Sequence, residues 1–451
     1  MSAEEFDAVV AAVRDRVDPS AEERERLQRA ADRLRERADE VAADLPVETD
    51  VVQVGSTARE TWVSGDRDID VFVRFPPDLD RERLERYGLQ VGRAVLPDGH
   101  EEYAEHPYVR GEFEGFDVDL VPCYRVESAA EIRSAVDRTP FHTAYLEAHI
   151  DAGLAADVRL TKQFLKGVGV YGSDLRTRGF SGYLTELLVC EYGGFRALLE
   201  AAAAWRPPVR LDPEDHGARE FDDPLVVVDP TDASRNVAAV VSETNVARLQ
   251  HYARDLLATP REDLFFPSRP DPLDAEAVCA HVERRGTRPL AVRFDAPDVV
   301  EDQLYPQLRR SLGGLERGLE GAGFEVLRSA TFADETAVLL CELAVAERPR
   351  VERHEGPPVH VGEHARRFYE QYADDEAVYG PFVEDGRYVV ERERDVTTAR
   401  EFVAERLFDV ALGADVERAL EAGHEVLVGA DVAALAGEFG TDLARYFDPS
   451  P

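Results

Sequence analysis

Three aspartates and one Gly-Ser pair carry the chemistry that can be read from this chain. In Asp68-Ile69-Asp70-Val71-Phe72-Val73, strand alternation projects Asp68 and Asp70 from one face and turns Ile69, Val71 and Val73 towards a core. The stretch Phe116-Asp117-Val118-Asp119-Leu120-Val121 repeats the pattern and supplies a third carboxylate, from Asp119 or Asp117. Three carboxylates on neighbouring strands repel one another unless a divalent cation is bound, and an all-oxygen site suits Mg²⁺. Two such ions about 3.5–4 Å apart would activate a 3′-hydroxyl and stabilise departing pyrophosphate. The expected chemistry is metal-dependent nucleotidyl transfer.

Gly55-Ser56 supplies the complementary half. A strand ending in Gly-Ser lets the backbone approach a phosphate closely, where its N–H groups and the Ser56 hydroxyl can cradle triphosphate oxygens. Arg59, about one turn further on, adds a charge-assisted contact. An isolated Asp-x-Asp reads as a solvated turn, and Gly-Ser alone is commonplace. The ordered set, with Asp-x-Asp eleven residues after Gly-Ser and then a second Asp strand, points to a site.

These residues need a sheet to hold them. Strand patterns at Val51 to Val54, Ile69 to Phe75 and Phe116 to Pro122, with a helical pattern over Asp80 to Val95, predict a mixed α/β domain over 1–145. It is preceded by an amphipathic helix over 20–43, with Leu27, Ala30, Ala31, Leu34 and Ala38 on its apolar side. A mainly helical domain follows over 146–260, with helices expected at Ala156 to Val168, Ser181 to Ala204 and Ser242 to Leu257. Pro260, Pro267, Pro270 and Pro272 mark a linker. Beyond it, 261–451 reads as an α+β region opening with a βαββ unit: strands at Leu290 to Phe294, Phe324 to Ala330 and Ala337 to Leu343. Helices follow at Glu363 to Ala373, Thr397 to Phe408 and Val432 to Tyr446. The fold class expected is α+β, multidomain, without internal repeats.

Composition narrows the setting. With 451 residues and 44% hydrophobic content the chain can bury several cores. No apolar run is long enough for a membrane span and the N-terminus is acidic, so a cytoplasmic protein is expected. Cys123, Cys190, Cys279 and Cys341 are far apart and read as core thiols. The net charge of −38 would strain a compact fold in dilute buffer, whereas multimolar salt, with a Debye length of about 3 Å or less, screens it. That balance predicts a salt-rich cytoplasm. Nearly every basic residue is Arg; the two lysines, Lys162 and Lys166, sit one helical turn apart.

The blocks GSTARETWVSGDRDIDVFVRFP, FDVDLVPCY, TPFHT, LTKQFLKGVGVYGSDLRTRGFSGYLTELLV and DPTDASRNVAAVVS resemble successive motifs of archaeal, class I CCA-adding enzymes, within the DNA polymerase β-like nucleotidyltransferases. The resemblance spans roughly residues 30–260. It implies a polymerase β-like catalytic domain with Asp68, Asp70 and Asp119 as metal-binding catalytic carboxylates, favouring Asp119 over Asp117, which alternation leaves open. It implies nucleotide contacts from Ser56, Arg59, His142, Lys162 and Tyr171, with Thr139 and Arg235 as further pocket residues. By themselves His142 reads as a capping or surface histidine and Tyr171 as a core aromatic; the surrounding blocks place both at the pocket. Also implied are ATP and CTP as substrates, Mg²⁺ as cofactor, the acceptor and TΨC arm of tRNA as partner, and a homodimer.

The expected activity is template-independent addition and repair of the 3′-terminal CCA of tRNA in one active site. Two alternatives keep parts of this reading. A poly(A) polymerase or oligoadenylate synthetase relative would use ATP alone, and a catalytically dead RNA-binding scaffold would label no tRNA. Arginine clusters at Arg284, Arg285, Arg288 and Arg293, at Arg309 and Arg310, and at Arg366 and Arg367 are candidates for an RNA groove, or for salt-bridged surface.

Overall fold

The computed structural model describes residues 3–217 and 219–451, which divide into a first unit ending at Ser268 and a second running from Arg269 to Ser450. The unit boundary falls inside the proline-marked linker.

The first unit opens with helices α1 (Ala3–Val17) and α2 (Ala21–Ala43). Ser20 starts α2 by a capping box: its hydroxyl accepts from the Glu23 amide, and the Glu23 carboxylate accepts from the Ser20 amide. The buried stripe of α2 is the expected one, Leu27, Ala30, Ala31, Leu34 and Ala38. Next come β1 (Asp50–Val54), a single turn α3 (Gly55–Ala58), β2 (Asp68–Phe75), α4 (Arg81–Val95), β3 (His100–Tyr103), β4 (Pro107–Phe113) and β5 (Phe116–Tyr124). They form one sheet of order β1-β2-β5-β4-β3, in which β2 and β5 are parallel and every other pair antiparallel. The parallel pair needs a crossover, and α4 helps to provide it. Ile69, Val71, Val73, Val118 and Leu120 bury one face of the sheet against α2 and α4. Asp68, Asp70 and Asp119 are thereby turned to the other face.

The chain then enters α5 (Thr139–His149), α6 (Ala152–Gly167), α7 (Gly182–Tyr192) and α8 (Phe195–Ala204), a small sheet of β6 (Val209–Leu211), β7 (Leu225–Asp229) and β8 (Asp232–Asn236), and α9 (Glu243–Ala258). Where one helix is expected from Ser181 to Ala204 there are two, because Gly193 and Gly194 take φ of +78° and +133° and break the ladder. The small sheet was hidden from periodicity by its short strands. Helix α1 precedes the catalytic strands in sequence yet packs with the helices: Phe6, Val13 and Val17 join Phe164, Phe195, Leu198 and Phe265 in one core. Arg159, nearly buried on α6, ties the two ends of this arrangement by donating to Asp18 at 2.6 Å and to the Glu60 carbonyl at 2.5 Å.

The second unit contains α10 (Ala275–Arg285), β9 (Arg288–Asp295), α11 (Glu301–Gly321), β10 (Val326–Ala333), β11 (Thr336–Leu343), β12 (Val351–Pro358), α12 (Gly362–Tyr372), β13 (Val378–Glu384), β14 (Arg387–Glu393), α13 (Ala399–Arg406), α14 (Ala414–Ala422), β15 (His424–Val428) and α15 (Ala436–Phe447). The expected βαββ unit is there, extended by β15 into a sheet of order β10-β11-β9-β15 with helices on both faces. A second sheet, β12-β14-β13, escaped the sequence reading because its burial pattern is shallow and mixed. Glu342 lies fully buried in β11, held by both Nε and Nη2 of Arg285 at 2.6 and 2.9 Å and by the hydroxyls of Thr287 and Tyr446. Removing Arg285 leaves that carboxylate the two hydroxyls and Arg328, whose Nη2 is 3.7 Å from Oε2, so Arg285→Ala is expected to cost about 1–3 kcal/mol of stability, read by thermal unfolding in molar KCl. A change below about 1 kcal/mol would show that Glu342 is satisfied without it.

The four cysteines are free thiols, with Cys123 and Cys341 buried. Among the described residues no helix is long and apolar enough to cross a membrane.

Candidate active site

The parallel register of β2 and β5 sets Asp70 beside Asp119 and Asp68 beside Asp117. Across the antiparallel pair with β1, Asp70 faces Val54, the residue before Gly55. Asp70 therefore stands between the Gly-Ser turn and the second aspartate strand. Asp117 is exposed, while Asp119 is half-buried and its Oδ1 is a buried oxygen with no hydrogen-bond partner. Arg110 Nε approaches Asp119 only to 3.6 Å. The orphaned oxygen distinguishes Asp119 from Asp117.

Burial and mutual repulsion raise all three carboxyls. Asp70 is pushed up to about 6, first by burial, then by the charges of Asp119 and Asp68, with Arg59 and Arg110 opposing. Asp68 is raised by burial and by Asp66 and Asp117, and Asp119 by burial, with Arg110 opposing and Asp68 adding to the rise. Among the described residues no three His, Cys, Asp or Glu side chains converge tightly enough to ligate an ion as they stand. Hard oxygen donors, one of them orphaned, that repel one another fit a divalent cation in kind.

A carboxyl raised in the folded state favours folding only while protonated, so this group's contribution falls as pH rises from about 4 to 6. Asp70→Asn removes that repulsion. In protein stripped of divalent ions at pH 7.5, Asp70→Asn is expected to be more stable by up to about 3 kcal/mol, and the gain should shrink below about pH 6. Equal unfolding temperatures at pH 7.5 would show that the three charges do not burden the fold.

Gly55 has φ of +77°, and a Cβ placed there would lie 2.0 Å from Asp70 Oδ2. The turn thus needs glycine twice, for its backbone and for room beside the carboxylate. Beyond it, the Thr61 amide donates to the Ser56 carbonyl at 3.0 Å, closing a loop over Ser56 to Thr61.

Arg59 and Lys162 meet at Glu186, a carboxylate from α7 with no exposed surface. Arg59 donates from Nε and Nη2 to Glu186 Oε2 at 3.1 and 2.7 Å, and from Nη1 to the Thr143 hydroxyl at 3.1 Å. Lys162 Nζ reaches Glu186 Oε1 at 2.9 Å, the Thr61 carbonyl at 3.1 Å and the Thr61 hydroxyl at 3.3 Å. Burial pushes the Glu186 carboxyl up, but Lys162, Arg59 and the Thr61 hydroxyl outweigh it and hold it below its ordinary value. Tyr171 lies close by: a Cβ on Gly182 would meet its hydroxyl at 3.2 Å and Lys162 Nζ at 3.9 Å. Lys166, four residues on, is at the rim, 3.3 Å from Asp66 and 5.4 Å from the Tyr171 ring centre.

His142 and Arg235 converge on a different carboxylate. Asp229, at the end of β7 and without exposed side-chain surface, accepts from His142 Nε2 at 2.9 Å, from Arg235 Nη1 at 2.8 Å and from the Thr231 amide and hydroxyl. Since a carboxylate only accepts, His142 carries its hydrogen on Nε2. Burial lowers the His142 pKa against the pull of Asp229, so the ring is neutral at pH 7 with Nδ1 free as an acceptor. Its ring stacks on Tyr183 with centroids 3.9 Å apart. Thr139 opens α5, one turn before His142, and a cavity of about 510 Å³ beside Arg235 is lined by Arg138, Phe221 and Ser234.

The site residues read from sequence thus fall into three groups: the carboxylates, the Glu186 cluster and the Asp229 cluster. Glu186 and Asp229 themselves were missed. A lone Glu in an apolar helix such as Leu184 to Val189 was the available signal for the first, and an Asp closing the run Leu225 to Val228 for the second. Of the eight arginines in the clusters beyond the linker, at least four form ion pairs. Arg366 and Arg367 pair with Glu370 and Glu363 of their own helix, Arg293 with Glu438 and Arg285 with Glu342.

Comparison with known proteins agrees with this layout. Three family models match in succession: a nucleotidyltransferase domain over residues 34–142, the second domain of tRNA nucleotidyltransferase over 156–266, and the C-terminal domain of CCA-adding enzyme over 285–429. A CCA-adding enzyme of Haloarcula marismortui is 64% identical over 99% of this chain and all of its own length. The CCA-adding enzyme of Halobacterium salinarum is 66% identical over 98% of both chains, and that of Methanosarcina acetivorans 41% identical over 94% of both. Identity of that depth, running through the aspartate strands and on past the linker, leaves one conclusion: the chain belongs to the CCA-adding enzyme family of tRNA nucleotidyltransferases.

Proposed function

We infer that this protein builds and repairs the 3′-terminal CCA of tRNA, transferring CMP from CTP and AMP from ATP with release of pyrophosphate. The observation that carries the chemistry is the register of β2 and β5, which sets Asp70 between Asp119 and the Gly55-Ser56 turn. Asp68, Asp70 and Asp119 would hold Mg²⁺, which supplies charge to lower the pKa of the tRNA 3′-hydroxyl and to neutralise the leaving pyrophosphate.

The protein's own groups bind and orient. Ser56 and the backbone of its turn receive triphosphate oxygens, and Arg59 offers its remaining N–H groups to the same charge. Lys162 commits three N–H donors to Glu186 and Thr61, so it acts through its charge, or after turning away from Thr61. Tyr171 closes the pocket wall beside it. His142 and Arg235, fixed by Asp229, present an acceptor and further N–H donors, with Thr139 one turn from His142, where the sugar or base would lie. Cytoplasmic tRNA in a salt-rich cell is the expected partner.

The decisive assay offers each of the four NTPs, with Mg²⁺ in molar KCl, to tRNA ending at the discriminator base, at C and at CC. CMP, CMP and then AMP should be incorporated in turn. Addition of AMP alone to all three ends would replace this reading with a poly(A) polymerase-like one.

Lys162→Ala should act twice. Glu186 loses one of two cations, for a cost near 3 kcal/mol in thermal unfolding, and KM for CTP and ATP should rise together. Unchanged KM values would take Lys162 out of the pocket.

A further inference from the structure

A carboxylate with no exposed surface in a pocket meant for triphosphate calls for an account, since its charge opposes the ligand's. We propose that Glu186 is a positioning residue for nucleotide binding: it fixes Arg59 and Lys162 and, through Thr61, the Ser56 turn. The proposal rests on the reading of Arg59 and Ser56 as nucleotide contacts and gives that site its missing support.

Each link is a contact of this fold. Glu186 Oε2 takes Nε and Nη2 of Arg59, which locks the plane of the guanidinium and leaves the remaining hydrogens of Nη1 and Nη2 unspent. Thr143 on α5 takes one N–H from Nη1, so the fork is held from two helices. Glu186 Oε1 takes both the Thr61 hydroxyl and Lys162 Nζ. Thr61 in turn donates its amide to the Ser56 carbonyl, which closes the turn that carries Ser56. One side chain of α7 thereby sets the orientation of the arginine, of the lysine and of the turn, although Lys162 arises more than 100 residues after the other two in the chain.

The geometry also explains why a negative charge is tolerated. Two adjacent buried cations would repel each other and splay; Glu186 between them keeps both charges in place with a net positive balance. Placement deep in the protein removes the contacts from the screening that multimolar salt imposes on surface pairs.

Electrostatics and positioning predict opposite signs, which makes the test sharp. Glu186→Gln deletes a negative charge, so if charge alone mattered, CTP and ATP would bind more tightly. Positioning predicts the reverse: KM for both nucleotides rising about tenfold, with kcat falling less, in molar KCl with Mg²⁺. Glu186→Gln should add clearly less than its own tenfold in an Arg59→Ala background, because part of its effect runs through Arg59 and the rest through Lys162 and Thr61. Thr61→Val, which removes one hydroxyl and keeps the volume, should raise KM in the same direction by a smaller factor, and serves if Glu186→Gln does not fold. Unchanged or lowered KM in Glu186→Gln, or full additivity with Arg59→Ala, overturns the proposal while Arg59→Ala alone still weakens nucleotide use. Normal nucleotide use by Arg59→Ala would instead overturn the underlying reading, and the role of Glu186 with it.

Discussion

Asp70→Ala is expected to abolish transfer of CMP and AMP alike, by about 10³-fold or more in kcat/KM, while leaving the protein folded. Asp70 is the carboxylate at the centre of the site, beside Asp119 in the parallel register and against the Gly55 turn. Its loss removes several kcal/mol of stabilisation of developing charge, and every 1.36 kcal/mol is tenfold in rate. Folding should not suffer, because the burial that raises its pKa is a burden on the metal-free protein. Incorporation of labelled CTP and ATP, measured separately on tRNA ending at C and at CC, checks this. AMP addition surviving the loss of CMP addition would mean that two carboxylate sets exist, against the single-site reading.

Gly55→Ala comes next in size. A methyl at this position would stand 2.0 Å from Asp70 Oδ2 on a backbone with φ of +77°. The conformation alone costs roughly 1–2 kcal/mol, and the clash pushes the carboxylate out of place. A displacement of about 1 Å can cost about 10²-fold in rate, so activity should fall by about that factor while the unfolding temperature drops a few degrees. Gly193→Ala is the matched control: φ is +78°, but nothing lies within 4 Å of its added Cβ. It should lose the same stability and keep its activity. Equal activity losses in the two would show that the Gly55 effect is only a folding effect.

How far the sequence could be read depended on whether a feature is local. Alternation placed Asp68 and Asp70 together, and capping chemistry at Ser20 and the apolar period of α2 are properties of a few neighbouring residues. Alternation left Asp119 and Asp117 open, because both point the same way; the family resemblance favoured Asp119, and the structure adds that its Oδ1 is buried without a partner while Asp117 is exposed. Glu186 and Asp229 carried only a weak local signal, a lone acid in an apolar run, and their roles were hidden for a related reason. A buried carboxylate is recognised by its partners, and those of Glu186 come from residues 59, 61 and 162. The joining of α1 to the helical core likewise depends on contacts that no window of the sequence contains, whereas the break at Gly193-Gly194 is a local glycine signal that helical periodicity overrode.

Chemical labelling follows directly from the two lysines. An amine-selective reagent meets one side-chain amine buried against Glu186 and another, Lys166, partly open at the rim beside Asp66 and Tyr171. Among the side chains, a fluorophore delivered that way would settle on Lys166, one helical turn from the buried cluster. The near-replacement of lysine by arginine therefore leaves the wild-type chain a single open lysine for labelling, with the α-amino group as the competing amine.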